Sequence, residues 1–279
     1  MHIFISCDVE GLNGVVHSSQ TQPNEALYAN TVKLLHAEVN QVIDGLVESG
    51  VNTITVADAH WDMRNLQLEM LNPKASLISG SPRNFSMMAQ IDQLKPDGII
   101  MLGYHSKIGT ADGVLAHTYR AKVFKDVQVN NISVGELGLN ALLASHFRIP
   151  IILITGDNAL EKEANKLLGK VNFHLAKQAL NKYAAIFKPY SQNLTELKEN
   201  TKLALKNQQN WVQLTKIQPP YELKISFFCP SMADGACLIK DVIRVSDDTI
   251  SFTDNIFPVV FKMLLAIGAI GSTRINNYF

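Results

Sequence analysis

The chain has 279 residues, 47% of them hydrophobic and 18% charged, with 25 basic and 25 acidic side chains and a formal net charge of zero. This is an ordinary soluble, globular composition with apolar material for one large domain or two smaller ones, and its charge balance gives no electrostatic case for a nucleic acid or a membrane surface. No apolar run approaches the roughly 20 residues of a transmembrane span. The three cysteines, Cys7, Cys229 and Cys237, form neither a CxxC pair nor an even framework; the N-terminus reads directly as a strand, and the expected compartment is the cytoplasm.

Residues 3–7 read as a short buried strand that ends in Asp8, one spacer and Glu10. Residues 23–49 carry Leu27, Val32, Leu35, Val39, Val42, Ile43 and Leu46 at helical spacing and stop at Gly50. Residues 53–57 are β-branched and apolar, a second strand running into Asp58-Ala59-His60. A short strand is expected over 76–78, and GIIMLG (98–103) is another buried strand, ending in Tyr104-His105. Residues 135–147 form a helix opened by Gly135-Glu136; residues 151–155 form a strand ending in Gly156-Asp157; residues 161–168 are helical. Apolar strands alternating with amphipathic helices predict an α/β fold, a mostly parallel sheet sandwiched by helices.

The texture changes near residue 189. A Lys-, Asn- and Gln-rich helix (194–205), a break at Gln218-Pro219-Pro220, antiparallel strands over 223–228 and 239–252 and a helix from about Pro258 follow. The expected organisation is a catalytic α/β part over 1–188 and a smaller α+β part over 189–279.

In such sheets ligands bind beyond the carboxyl ends of the strands, and the polar residues fall there: Asp8, Glu10, His60 and His105, with His117 and Glu136 close behind. Two histidines and three carboxylates are the ligand set of a binuclear zinc centre, in which a shared carboxylate and water lie between two ions. Residues i and i+2 of an extended segment point the same way, so Asp8 and Glu10 can reach one site. Without a cation they would repel, and one would tend to stay protonated. Each residue has a plainer reading alone: Asp-x-Glu as a solvated loop, a strand-end histidine as a hydrogen-bonding group, Glu136 as an acid complementing a helix dipole. Their convergence on one sheet edge carries the signal. Asp58 and Asp157 either orient a ligand or cap the following segment. His2, His17, His36, His146 and His174 read as structural or surface residues. No GxGxxG follows the first strand, and no P-loop or GxSxG elbow is present.

The motifs CDVEGLNG, VADAHWDMRNL, LISG, NFSMM, LGYHSK, VGELGLNALLA and GDNALEKEA, in this order from residue 1 to about 170, resemble the D-aminopeptidases of the DppA family, dizinc metallopeptidases. The resemblance implies that Asp8 bridges two Zn2+ ions, that Glu10 and His60 complete one site and His105 and Glu136 the other, and that His117 is an essential histidine outside the ligand set. It further implies release of N-terminal D-amino acids from short peptides such as D-Ala-D-Ala, and a ring-like homo-oligomer, a decamer, with active sites facing its interior. The segment Thr118–Lys122 departs from the family pattern; it either lines the substrate site or leaves Arg120 on a surface interface loop. Two rival readings remain. A magnesium-dependent phosphatase of the haloacid-dehalogenase type would use Asp8 as nucleophile but leaves His60, His105, His117 and Glu136 without a task. A non-catalytic protein could retain the fold.

Overall fold

β1 (His2–Cys7) alternates its side chains between two cores: Ile3, Ile5 and Cys7 enter one, Phe4 the other, and all four are fully buried. A strand apolar on both faces is the mark of a parallel sheet covered on both sides. The computed structural model describes residues 1–275. After β1 come α1 (Tyr28–Glu48), β2 (Thr53–Asp58), β3 (Ala75–Ile78), the single turn α2 (Ile91–Leu94), β4 (Gly98–Leu102), β5 (Phe124–Val129) and β6 (Ile132–Ser133). The middle of the chain supplies α3 (Glu136–His146), β7 (Ile151–Asp157), α4 (Asn158–Leu168), β8 (Phe173–Asn181), β9 (Ala184–Phe187) and α5 (Tyr190–Lys206). The remainder is β10 (Tyr221–Phe227), α6 (Pro230–Ala236), β11 (Ile243–Ser246), β12 (Thr249–Asp254) and α7 (Phe257–Ser272).

The main sheet has the order β3-β2-β1-β4-β7-β8-β9, parallel throughout except for β9, which returns antiparallel along β8. The expected α/β class, a largely parallel sheet flanked by helices, is the fold observed. The chain moves outward from β1 to β2 and β3, then crosses back to β4 on β1's other side. The gap between β1 and β4 is therefore the topological switch point, where such sheets open a crevice. α1 and α5 pack together over one face, with Val39, Val42 and Leu46 meeting Leu197 and Ala204 in the core that holds Ile3 and Ile5. The other face is shared with α3, α7 and a five-stranded antiparallel sheet, β11-β12-β10-β5-β6. That second sheet joins β5 and β6, from before residue 189, to β10–β12, from after it. Truncating a fully buried side chain such as Phe4 to alanine costs about 3–5 kcal/mol.

Differences from the sequence reading have local causes. Residues 239–252 form a hairpin rather than one strand, because the Asp247-Asp248 pair turns the chain and Arg244 donates to the carbonyls of Ser246 and Asp247. α1 starts at Tyr28, after turns in which Glu25 bonds back to Gln22 and Tyr28 to Glu25. β5, β6, β8 and β9 matched no predicted element: Lys125 and Asp126 interrupt the apolar alternation of β5, Lys177 and Gln178 that of β8, β6 is two residues long, and β9 is the short return strand AAIF.

α5 is fastened to the sheet by His174 of β8, which is fully buried. Its Nε2 lies 3.0 Å from Asn193 Oδ1, and Asn200 Nδ2 lies 2.9 Å from its Nδ1. This pairing holds a neutral ring, and burial pulls the imidazole down to about 4. The unfolded chain takes up this proton below about pH 6.5 and the folded chain does not, so stability present above pH 6.5 is lost as pH falls toward 4. Between pH 7.5 and pH 5 the wild type should lose about 2 kcal/mol more than His174→Gln. Denaturant titrations of both proteins at the two pH values check this; equal losses would contradict it.

Candidate metal centre

Asp8 is the first residue beyond β1, at the switch point. Its backbone N–H continues the ladder to Leu102 O of β4 at 2.8 Å, which fixes the side chain at the sheet's edge. The following loop then passes directly over the end of β4. Gly11 N donates to Gly103 O at 2.7 Å, and a Cβ on Gly11 would stand 2.0 Å from the Tyr104 carbonyl. Gly103 has φ +67° and would meet Asp8 O at 2.2 Å. Only glycine fits at either position, and the close crossing brings the β1 and β4 loops together.

Asp8, Glu10, His60, His105 and Glu136 are all nearly fully buried. They form two groups around Asp8. Asp8 Oδ1 lies 3.0 Å from His60 Nδ1, and Glu10 Oε2 lies 3.2 Å from the same nitrogen. Asp8 Oδ2 lies 3.5 Å from His105 Nε2, and Glu136 Oε1 also lies 3.5 Å from it. The two oxygens of one carboxylate thus face two different histidine–carboxylate pairs. Potential ligand atoms of Asp8, Glu10 and His60 lie within 4.8 Å of one another, and so do those of His105, His117 and Glu136.

All three imidazoles are set in the same way. His60 Nε2 lies 2.7 Å from Thr21 O, His105 Nδ1 3.0 Å from Ser106 O, and His117 Nδ1 2.9 Å from Leu115 O. Each backbone carbonyl accepts one ring N–H and turns the other nitrogen toward the carboxylates, the arrangement that orients metal-binding histidines. The His117 ring stacks on His105 with centroids 4.1 Å apart and planes 12° apart, and its Nε2 lies 3.6 Å from Glu136 Oε1. His117 keeps 21% of its side chain exposed, against 7% or less for the other five.

The electrostatics are those of crowded acids. Burial and the neighbouring Glu10 push Asp8 up to about 7. Burial acts on Glu10 and Glu136 too, but His60 outweighs it at Glu10 and His105 at Glu136, and both carboxyls sit below their ordinary range. Burial draws His60 and His105 downward; Glu10 and Asp8 nevertheless hold His60 well above its ordinary value, and Glu136 and Asp8 hold His105 at about 10. His117 is drawn down by burial and by His105. Cations between the acids would relieve this strain. Two buried atoms of the site, one in each group, lack a hydrogen-bond partner among the described residues: Glu10 Oε2 and His105 Nε2. Mixed imidazole and carboxylate donors suit zinc, and these residues fit a zinc centre.

Other residues hold the loops. Asp58 Oδ2 accepts the backbone N–H groups of Asn65 and Leu66, and Asn65 Nδ2 reaches His60 O, so Asp58 braces the loop bearing His60 and does not touch the imidazole. Asp157 caps α4 through Ala159 N and Leu160 N and also accepts Val114 N. Glu163 accepts Lys107 N, two residues beyond His105. Tyr119, at φ +51°, donates its backbone N–H to Glu136 Oε1 at 2.6 Å and its hydroxyl to Asn140, while Arg120 is exposed. Tyr104, Ser6 and Asn140 complete a buried network beneath the site. The sequence reading singled out the segment holding Tyr119 without assigning that residue a contact, and missed Asn65, Asn140, Glu163 and Lys177. Their contacts are largely to backbone or to distant polar groups, and residue type alone signals none of them. The other histidines lie elsewhere: His2 beside Thr55, His36 beside Gln67, His17 capping a short turn, His146 against Phe147.

The Peptidase M55 family model, described as D-aminopeptidase, matches residues 1–266. A D-aminopeptidase of Bacillus subtilis (strain 168) is 31% identical over 253 residues, which is 90% of this chain and 91% of the relative. The solved structure of the Zn-dependent D-aminopeptidase DppA from Bacillus subtilis, a self-compartmentalizing protease, superposes with a TM-score of 0.92 at 28% identity, covering 98% of each chain. By sequence and by fold, the chain belongs to the M55 family of D-aminopeptidases.

Proposed function

We propose that the protein is a zinc-dependent aminopeptidase that removes the N-terminal D-amino acid from short peptides such as D-Ala-D-Ala. Asp8, Glu10 and His60 would hold one zinc ion, and Asp8, His105 and Glu136 a second. The observation that carries this reading is the placement of Asp8, one oxygen toward His60 and Glu10 and the other toward His105 and Glu136. Family membership and the zinc dependence of DppA support it. A phosphatase with Asp8 as nucleophile is disfavoured on both counts: histidines flank both Asp8 oxygens, and the chain's relatives are peptidases.

Bound there, zinc ions supply Lewis acidity for the scissile carbonyl and acidify a water. The chain's own groups do the rest. His117 Nδ1–H is committed to Leu115 O, which leaves the Nε2 lone pair on the site side. Burial and His105 keep the ring neutral near pH 7, so Nε2 can accept the proton of the attacking water and deliver it to the departing amine. Stacking on His105 fixes the plane in which this transfer occurs. His117 is the most exposed group of the site, and substrate would enter over its ring.

The chain forms a ring-like homo-oligomer, a decamer, in this reading. Large exposed apolar side chains on the β8–β9 hairpin, among them Leu180, Tyr183 and Ile186, give it surface to bury. Among the described residues no helix is long and apolar enough to cross a membrane. The cysteines are free thiols, as suits the reducing cytoplasm.

His117→Ala should keep its zinc and lose about 10²–10⁴-fold in kcat; elemental analysis beside a D-Ala-D-Ala assay checks both, and near-wild-type turnover would remove the proton-transfer role. Asp8→Ala should lose zinc from both sites together, and a variant that retains two zincs per chain would refute the bridge.

A further inference from the structure

Lys177 of β8 is 1% exposed, and among the described residues its Nζ makes no bond to a carboxylate. It donates instead to three backbone carbonyls of a single loop: Glu10 O, Leu12 O at 3.0 Å and Val15 O. An ammonium has three N–H donors, and here each has a carbonyl of the segment that carries Glu10. The location explains the reach. Lys177 stands opposite Asp157 in the β7–β8 ladder, at the carboxyl edge of the sheet. The β1 loop crosses β4 at the Gly11–Gly103 contact and continues toward β8, where the ammonium receives it. Glu38 of α1 holds the same loop with its own side chain, accepting Asn13 N–H at 3.0 Å.

We infer that Lys177 is a positioning residue for metal binding: its ammonium gathers the Glu10–Val15 carbonyls and so holds the Glu10 carboxylate against His60. The assignment rests on the proposed reading of Asp8, Glu10 and His60 as one zinc site. A buried charge is costly in a core, and methionine would fill the same volume without it; a lysine at this position is explained by the three carbonyls it ties. The opposite half of the centre is held by other means. Glu163 fixes the segment after His105, and the Tyr119 N–H holds Glu136. Loss of the ammonium therefore acts on the two halves unequally.

The test is metal affinity of the full-length protein, by competition with a chromophoric zinc chelator, for the wild type, Lys177→Met and Lys177→Gln. The wild type should show two binding steps. In Lys177→Met one step should weaken by about 10- to 100-fold, the range for removing a group that orients a ligand, while the other stays within a few-fold. Lys177→Gln, with two N–H donors left, should recover part of the loss. A merely structural role would weaken both steps alike or neither. Two unchanged steps in a folded Lys177→Met, or equal weakening of both, overturns the assignment. Failure of both variants to fold also overturns it, making Lys177 a residue of the sheet core. A wild type that takes up only one zinc per chain overturns the two-zinc reading itself and the assignment with it, and so separates the two failures.

Discussion

Three carboxylates, Asp8, Glu10 and Glu136, are buried around one point at the edge of a sheet, and the repulsion among them is the constraint on which the rest of the site depends. Like charges removed from water cannot all ionise without positive charge between them. With protein groups alone, that positive charge comes from protons: His60 and His105 are held well above their ordinary values, and Asp8 is pushed up. The alignment of both imidazoles by backbone carbonyls fits them equally to take a divalent cation in place of a proton. The site is thus a place where protons and metal ions compete for the same atoms.

The fold bears this cost through its topology. At the switch point the chain leads from β1 to its neighbour β2 on one side and from β4 to its neighbour β7 on the other, and there the sheet leaves a crevice beyond its carboxyl edge. The chain uses the gap by crossing its loops at two glycines, then ties each loop at a distance. Asp58 holds the β2 loop, Glu163 and Asp157 the β4 loop, and Lys177 the β1 loop. These ties are charged groups spent on backbone N–H and C=O groups, so little of the geometry rests on exposed ion pairs that salt would screen.

The clustering of the candidate site was legible in the sequence, because β1, β2 and β4 are apolar runs with an acid or a histidine within three residues of their ends; a charged group at such a boundary has to be accounted for. The parallel sheet was legible for the same reason. Lys177 was not: its partners are backbone carbonyls 162 to 167 positions earlier, which any residue type could provide. The carbonyls of Thr21, Ser106 and Leu115 that set the three imidazoles were invisible on the same ground. β5 also escaped notice, since FKDVQV gains its place only by pairing with β10, about a hundred residues later. The segment after His117 divides in the structure: Tyr119 turns inward to Glu136, while Arg120 faces solvent.

In the proposed centre one carboxylate, Asp8, would be shared by two zinc ions that cleave D-peptides. This claim is tested most directly by elemental analysis of the purified protein, together with amino acid release from D-Ala-D-Ala and L-Ala-L-Ala as zinc is restored to chelated enzyme. The account predicts two zincs per chain, activity that rises to its maximum as the second is taken up, and preference for the D-peptide. Full activity with one zinc or none, or magnesium uptake with hydrolysis of phosphate esters, would contradict it.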